Sequence, residues 1–96
     1  MPLPTGIITF LFTDIEGSTK LWEAHPGAMR VALERHDKLM RETIVGAGGH
    51  VFKTVGDAFC AAFATAPDAV SAALRAQLAF TAEPWPEETP IKVRIA

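Results

Sequence analysis

Asp14 and Asp57 are the residues whose surroundings ask for chemistry. The first lies in Phe12-Thr13-Asp14-Ile15-Glu16-Gly17-Ser18-Thr19 and the second closes Lys53-Thr54-Val55-Gly56-Asp57. Each ends or follows a run with strand character, where a carboxylate is costly unless solvent, a hydrogen bond or a cation compensates it. Carboxylate oxygens are hard ligands that suit magnesium or manganese, so both residues are candidate metal ligands. Just after Asp14, Gly17, Ser18 and Thr19 open a short helix through Glu23, where small residues let backbone N–H groups approach an anion such as phosphate. Each position also has a plainer reading. Ser18 or Thr19 can simply cap the helix, Gly56-Asp57 suits a tight turn for steric reasons alone, and Lys53 fits a solvated strand edge.

The elements that must position these residues follow from periodicity. Ile7 to Ile15, rich in Ile, Phe, Leu and Thr and bounded by Pro4, Gly6 and Gly17, predicts a buried strand with Asp14 near its C-terminal end. After His25-Pro26-Gly27, apolar residues recur at helical steps from Ala28: Met29, Ala32, Leu33, His36, Leu39, Met40 and Thr43. Gly46, Gly48 and Gly49 end this helix. His36 lies on its apolar stripe with no second ligand at helical spacing, so it is a packed histidine rather than a metal ligand. His50 to Val55 and Ala58 to Ala64 predict two strands joined as a hairpin across Gly56-Asp57.

Thr65 and Asp68, with Pro67 in the first turn, predict the start of a helix running to about Ala82. Its alanines, with Val70, Leu74, Leu78 and Phe80, are expected to pack on a sheet. A proline-rich connection follows, in which Trp85 covers a core edge. Ile91, Val93 and Ile95 then alternate with Lys92 and Arg94 as a half-buried strand still running at Ala96.

Composition narrows the partners. With 49% apolar and 21% charged residues over 96 positions, the sequence falls in the soluble globular class, and residues 1–96 are expected to hold one domain at most. Its net charge of −2 gives no broad basic surface, so no nucleic-acid partner is expected. The one cysteine, Cys60, sits in Ala58-Phe59-Cys60-Ala61-Ala62-Phe63 as a small packed hydrophobe. No segment reaches the roughly 18 apolar residues of a membrane span, and the N-terminus lacks the basic start of a signal peptide. A cytoplasmic setting, without membrane contact from this segment, is the expectation.

The two acidic motifs and the element order together resemble the catalytic domain of class III nucleotidyl cyclases. Thr9-Phe10-Leu11-Phe12-Thr13-Asp14-Ile15-Glu16-Gly17-Ser18-Thr19 is similar to the family's first metal motif, and Gly49-His50-Val51-Phe52-Lys53-Thr54-Val55-Gly56-Asp57-Ala58 to its second. The resemblance implies a truncated α/β (α+β), ferredoxin-like core in the order β-α-α-β-β-α-β. It implies that Asp14 and Asp57, helped by the Ile15 carbonyl, bind two divalent cations, magnesium or manganese. One ion would activate the ribose 3′-hydroxyl and the other would neutralise the departing pyrophosphate. Backbone groups of Gly17, Ser18 and Thr19 would hold phosphate oxygens. Lys53 matches the purine-reading position, where a lysine donates to adenine N1, so ATP is favoured over GTP. The implied active site forms across a head-to-tail dimer.

The family's second purine-reading residue, and the asparagine and arginine that act on ribose and transition state, have no counterpart before Ala96. The alternative is a non-catalytic module of the same fold that binds nucleotide or dimerises to regulate a neighbour.

Overall fold

The computed structural model describes residues 6–96. Seven elements follow one another: strand β1 (Thr9–Ile15), helices α1 (Ser18–Ala24) and α2 (Pro26–Gly46), strands β2 (His50–Val55) and β3 (Ala58–Phe63), helix α3 (Ala66–Ala82) and strand β4 (Val93–Ile95). The expected order β-α-α-β-β-α-β is therefore present. The four strands form an antiparallel sheet in the order β2-β3-β1-β4, so each β-α-β passage leaves room for one strand between its ends. This is the ferredoxin-like arrangement.

Alternation along the strands sorts the residues into two faces. Leu11, Thr13 and Ile15 of β1, and Phe59, Ala61 and Phe63 of β3, are buried under α2 and α3. From α2 come Met29, Ala32, His36, Met40 and Ile44; from α3, Ala69, Ala72, Ala76 and Phe80. The alanines let α3 approach the sheet closely. Thr65 caps α3 by accepting the Asp68 N–H, as expected. Among the described residues no helix covers the opposite face of the sheet, and Phe10, Phe12 and Phe52 lie about half exposed on it, with the Phe10 and Phe52 ring centroids 5.8 Å apart.

Several expectations need correction. β1 begins at Thr9 rather than Ile7, which is 95% exposed; Pro4 lies outside the described residues. β4 is confined to Val93–Ile95, although Ile91 is buried as predicted. Val70, Leu74 and Leu78 do not pack on the sheet. They form an exposed stripe on α3, because Ala69, Ala72, Ala76 and Phe80 fill the space over the strands. Thr43 bonds back to the Leu39 carbonyl, and Ile44 takes the buried place at the end of α2. Cys60 is half-buried on the open face rather than sealed in the core.

His36 is fully buried, its ring set edge-on to Phe59 and Phe80. Its Nδ1 lies 2.8 Å from Asp37 Oδ1. A carboxylate only accepts, so Nδ1 carries the proton and donates. Trp85 covers the far end of this cluster, stacking on Phe80 and donating its indole N–H to the Phe80 carbonyl.

Candidate active site

Asp14 and Asp57 lie toward the same end of the sheet. β1 and β3 run antiparallel with Thr13 opposite Phe59, and one further step of that register sets Asp14 beside Ala58. Asp57, in the turn between β2 and β3, is the next residue along. The turn is made possible by Gly56, whose φ of 57° lies in the left-handed region that favours glycine. Oδ2 of Asp57 is buried and, among the described residues, has no hydrogen-bond partner. An orphaned carboxylate oxygen is costly in a folded chain, and a cation is one way to satisfy it.

Asp14 is not orphaned. Arg94 Nε and Nη2 donate to its two carboxylate oxygens at 2.8 Å each, a fork-to-fork pair. The strand register explains the meeting, since Asp14 and Arg94 are directly opposite on β1 and β4. The Arg94 hydrogen bonds chiefly hold the Asp14 carboxyl below its usual range; burial opposes them, and the charge of Arg94 adds a lesser pull in the same direction as the bonds. Arg94 in turn is raised above its usual value, chiefly by Asp14, with lesser contributions from the charges of Glu16 and Asp57. One guanidinium thus stands amid three carboxylates.

Residues directly opposite on neighbouring strands share a face of the sheet. Lys53 is opposite Cys60, and Cys60 opposite Phe12, so Lys53 lies on the open face with Phe12 and Asp14. A register shift between Val51 and Lys53 accompanies this placement. Phe12, Asp14, Cys60 and Arg94 help line a cavity of about 280 Å³ on that face.

Gly17 turns the chain from β1 into α1 at φ 67°, and it is the N-cap residue of α1, with no side-chain cap bond. Neither Ser18 nor Thr19 therefore serves as the cap. Ile15 is buried at the end of β1, and Glu16 N–H donates to the Lys92 carbonyl.

The residue that sequence reasoning missed is Arg94. Its alternation with Val93 and Ile95 was legible, but its partner lies 80 positions away. Only the pairing of β4 with β1 brings the two together. Among the described residues, no three acidic, histidine or cysteine side chains are grouped to hold a metal ion. Carboxylate oxygens such as those of Asp14 and Asp57 are of the hard kind that magnesium and manganese take.

The chain belongs to the adenylate and guanylate cyclase catalytic domain family, whose model matches residues 2–95. It is 44% identical over 88 residues to an adenylate cyclase of Podospora anserina, an alignment covering 92% of this chain and 4% of that protein. The fold superposes on an adenylate cyclase from Trypanosoma brucei, solved in its monomeric state, with a TM-score of 0.88 and 30% identity, covering 96% of this chain and 55% of that one. It also superposes on the guanylate cyclase domain of RhGC from Catenaria anguillulae in complex with GTP, with a TM-score of 0.79, 20% identity and coverage of 92% and 53%. The chain thus spans about half the length of these solved cyclase chains and a small part of the curated relative. Among the described residues no helix is long and apolar enough to cross a membrane.

Proposed function

We propose that this chain is the N-terminal part of a nucleotidyl cyclase domain that converts ATP to 3′,5′-cyclic AMP and pyrophosphate. The observation that supports the reading is the strand register, which brings Asp14 and Asp57 to the same end of the sheet, together with an Asp57 Oδ2 that is buried and has no partner among the described residues. Asp14, Asp57 and the Ile15 carbonyl would hold two divalent cations, magnesium or manganese. When bound, such ions lower the pKa of the ribose 3′-hydroxyl and neutralise charge on the departing pyrophosphate. Backbone N–H groups of Gly17, Ser18 and Thr19 face phosphate oxygens in this reading.

Lys53 donates to adenine N1 and so selects ATP over GTP. A head-to-tail dimer places the Lys53 of one protomer over the acidic pair of the other. The half-exposed Phe10, Phe12 and Phe52 support such a partner, since a contiguous apolar face favours cover.

A regulatory module that binds nucleotide without turnover is the second reading. It is favoured by Arg94, which already neutralises Asp14. The test is turnover by a complete parent protein carrying Asp14→Ala or Asp57→Ala. The cyclase reading expects manganese-dependent cyclic AMP production to vanish in both while circular dichroism stays native; undiminished production in either would refute it.

A further inference from the structure

Arg94 occupies both oxygens of Asp14, whereas Asp57 Oδ2 has no partner among the described residues. The two carboxylates of the candidate metal site are therefore in opposite states. Asp14 is paired with a cation of the chain itself, whereas only one oxygen of Asp57, Oδ2, is buried without a partner among the described residues. We infer that Arg94 is an internal latch on the metal site: its guanidinium holds Asp14 until a divalent cation displaces it. The inference deepens the proposed function and rests on its assignment of Asp14 and Asp57 as metal ligands.

Geometry and charge support displacement rather than sharing. A bidentate guanidinium spends two of its five N–H donors on the two carboxylate oxygens along their in-plane directions. Magnesium needs an oxygen at about 2.0–2.1 Å in near-octahedral geometry, which the fork obstructs. Like charges a few ångströms apart also repel strongly outside bulk water. The field at Arg94 is shared among Asp14, Glu16 and Asp57, so the guanidinium has acidic neighbours when it leaves Asp14. Exposure makes the latch light. The Arg94 side chain is 66% exposed and that of Asp14 42%, so the pair resists a cation only to the modest extent of a surface ion pair.

The experiment measures manganese affinity of the 96-residue chain by calorimetry, for the unaltered protein, Arg94→Gln, Arg94→Lys and Asp14→Asn. It is paired with the ¹⁵N-detected Arg94 Nε–H resonance during a magnesium titration. The latch predicts about two- to fivefold tighter manganese binding in Arg94→Gln, the range of an exposed ion pair. Arg94→Lys separates the fork from the charge, because lysine keeps the charge but cannot bind both oxygens in parallel. It should also bind manganese more tightly than the unaltered chain, and the Arg94 Nε–H signal should move as magnesium is added.

If Arg94→Lys matches the unaltered chain, only long-range charge is at work and the latch is overturned while the metal assignment stands. An Nε–H signal unmoved by saturating magnesium overturns it as well. Unchanged manganese affinity in Asp14→Asn would instead overturn the metal assignment itself, and the latch with it.

Discussion

The ring of Phe63 lies against Gly49 so closely that a Cβ built on Gly49 would come within 2.5 Å of the ring's Cζ and 2.8 Å of Ile44 Cγ2. Gly49 joins the end of α2 to the start of β2, so this contact sets how the hairpin bearing Asp57 hangs on the helix. Gly49→Ala should destabilise the fold by about 1–3 kcal/mol, the usual cost of overpacking a well-filled core. A urea unfolding series would read this as a lower midpoint. An unchanged midpoint would mean that Phe63 moves aside freely.

The Asp14–Arg94 pair predicts a pH dependence of definite sign. The Asp14 carboxyl is held below its usual range in the folded chain, so its contribution is fully present above the unfolded value and is lost as pH falls through the folded one. Thermal midpoints of the unaltered chain should therefore exceed those of Asp14→Asn at neutral pH, and the gap should close in acid below the ordinary carboxylate range. The gap will be small, because both side chains are largely solvated. A gap of constant size across that range would show that the pair does not titrate with folding.

Much of this architecture is legible in the residues themselves. The run through Ile15, the Gly56-Asp57 turn and the Thr65 cap all announce their elements locally, and the structure has them in place. The failures come where tertiary geometry overrides local pattern. Val70, Leu74 and Leu78 fit a helix that packs on a sheet, yet Ala69, Ala72 and Ala76 take the contact and leave the larger residues outside. Ile91 is buried without joining the ladder. Arg94 is the instructive case for the site. Its meaning depends on which strand lies beside β4, and hydrophobic alternation does not carry that information.

Base choice can be tested in a full-length parent. If Lys53 donates to adenine N1, Lys53→Glu sets an acceptor against an acceptor, and ATP use should fall by roughly 5- to 150-fold, the equivalent of about 1–3 kcal/mol. Gain of GTP use is not required. Retained ATP preference in competition assays would make Lys53 an ordinary residue of the exposed β2 edge.

Catalysis by the 96-residue chain alone should be absent. No asparagine occurs in the sequence, so the ribose-orienting group expected of the family is missing from this polypeptide. Loss of one transition-state donor commonly costs on the order of 100- to 1,000-fold in rate. Incubation with manganese and ATP, followed by chromatography, should yield no cyclic product. Product that disappears in an Asp14→Ala control would show that this half of the domain suffices.

The central claim is that Asp14 and Asp57 form one cation site, and paramagnetic broadening tests it most directly. Manganese added in small amounts to the ¹⁵N-labelled chain should broaden the amide signals of Asp14 and Ile15 together with those of Gly56 and Asp57, and excess magnesium should restore all four. Broadening confined to one of the two segments, or centred instead on an exposed acidic stretch such as Glu87 and Glu88, would contradict the account.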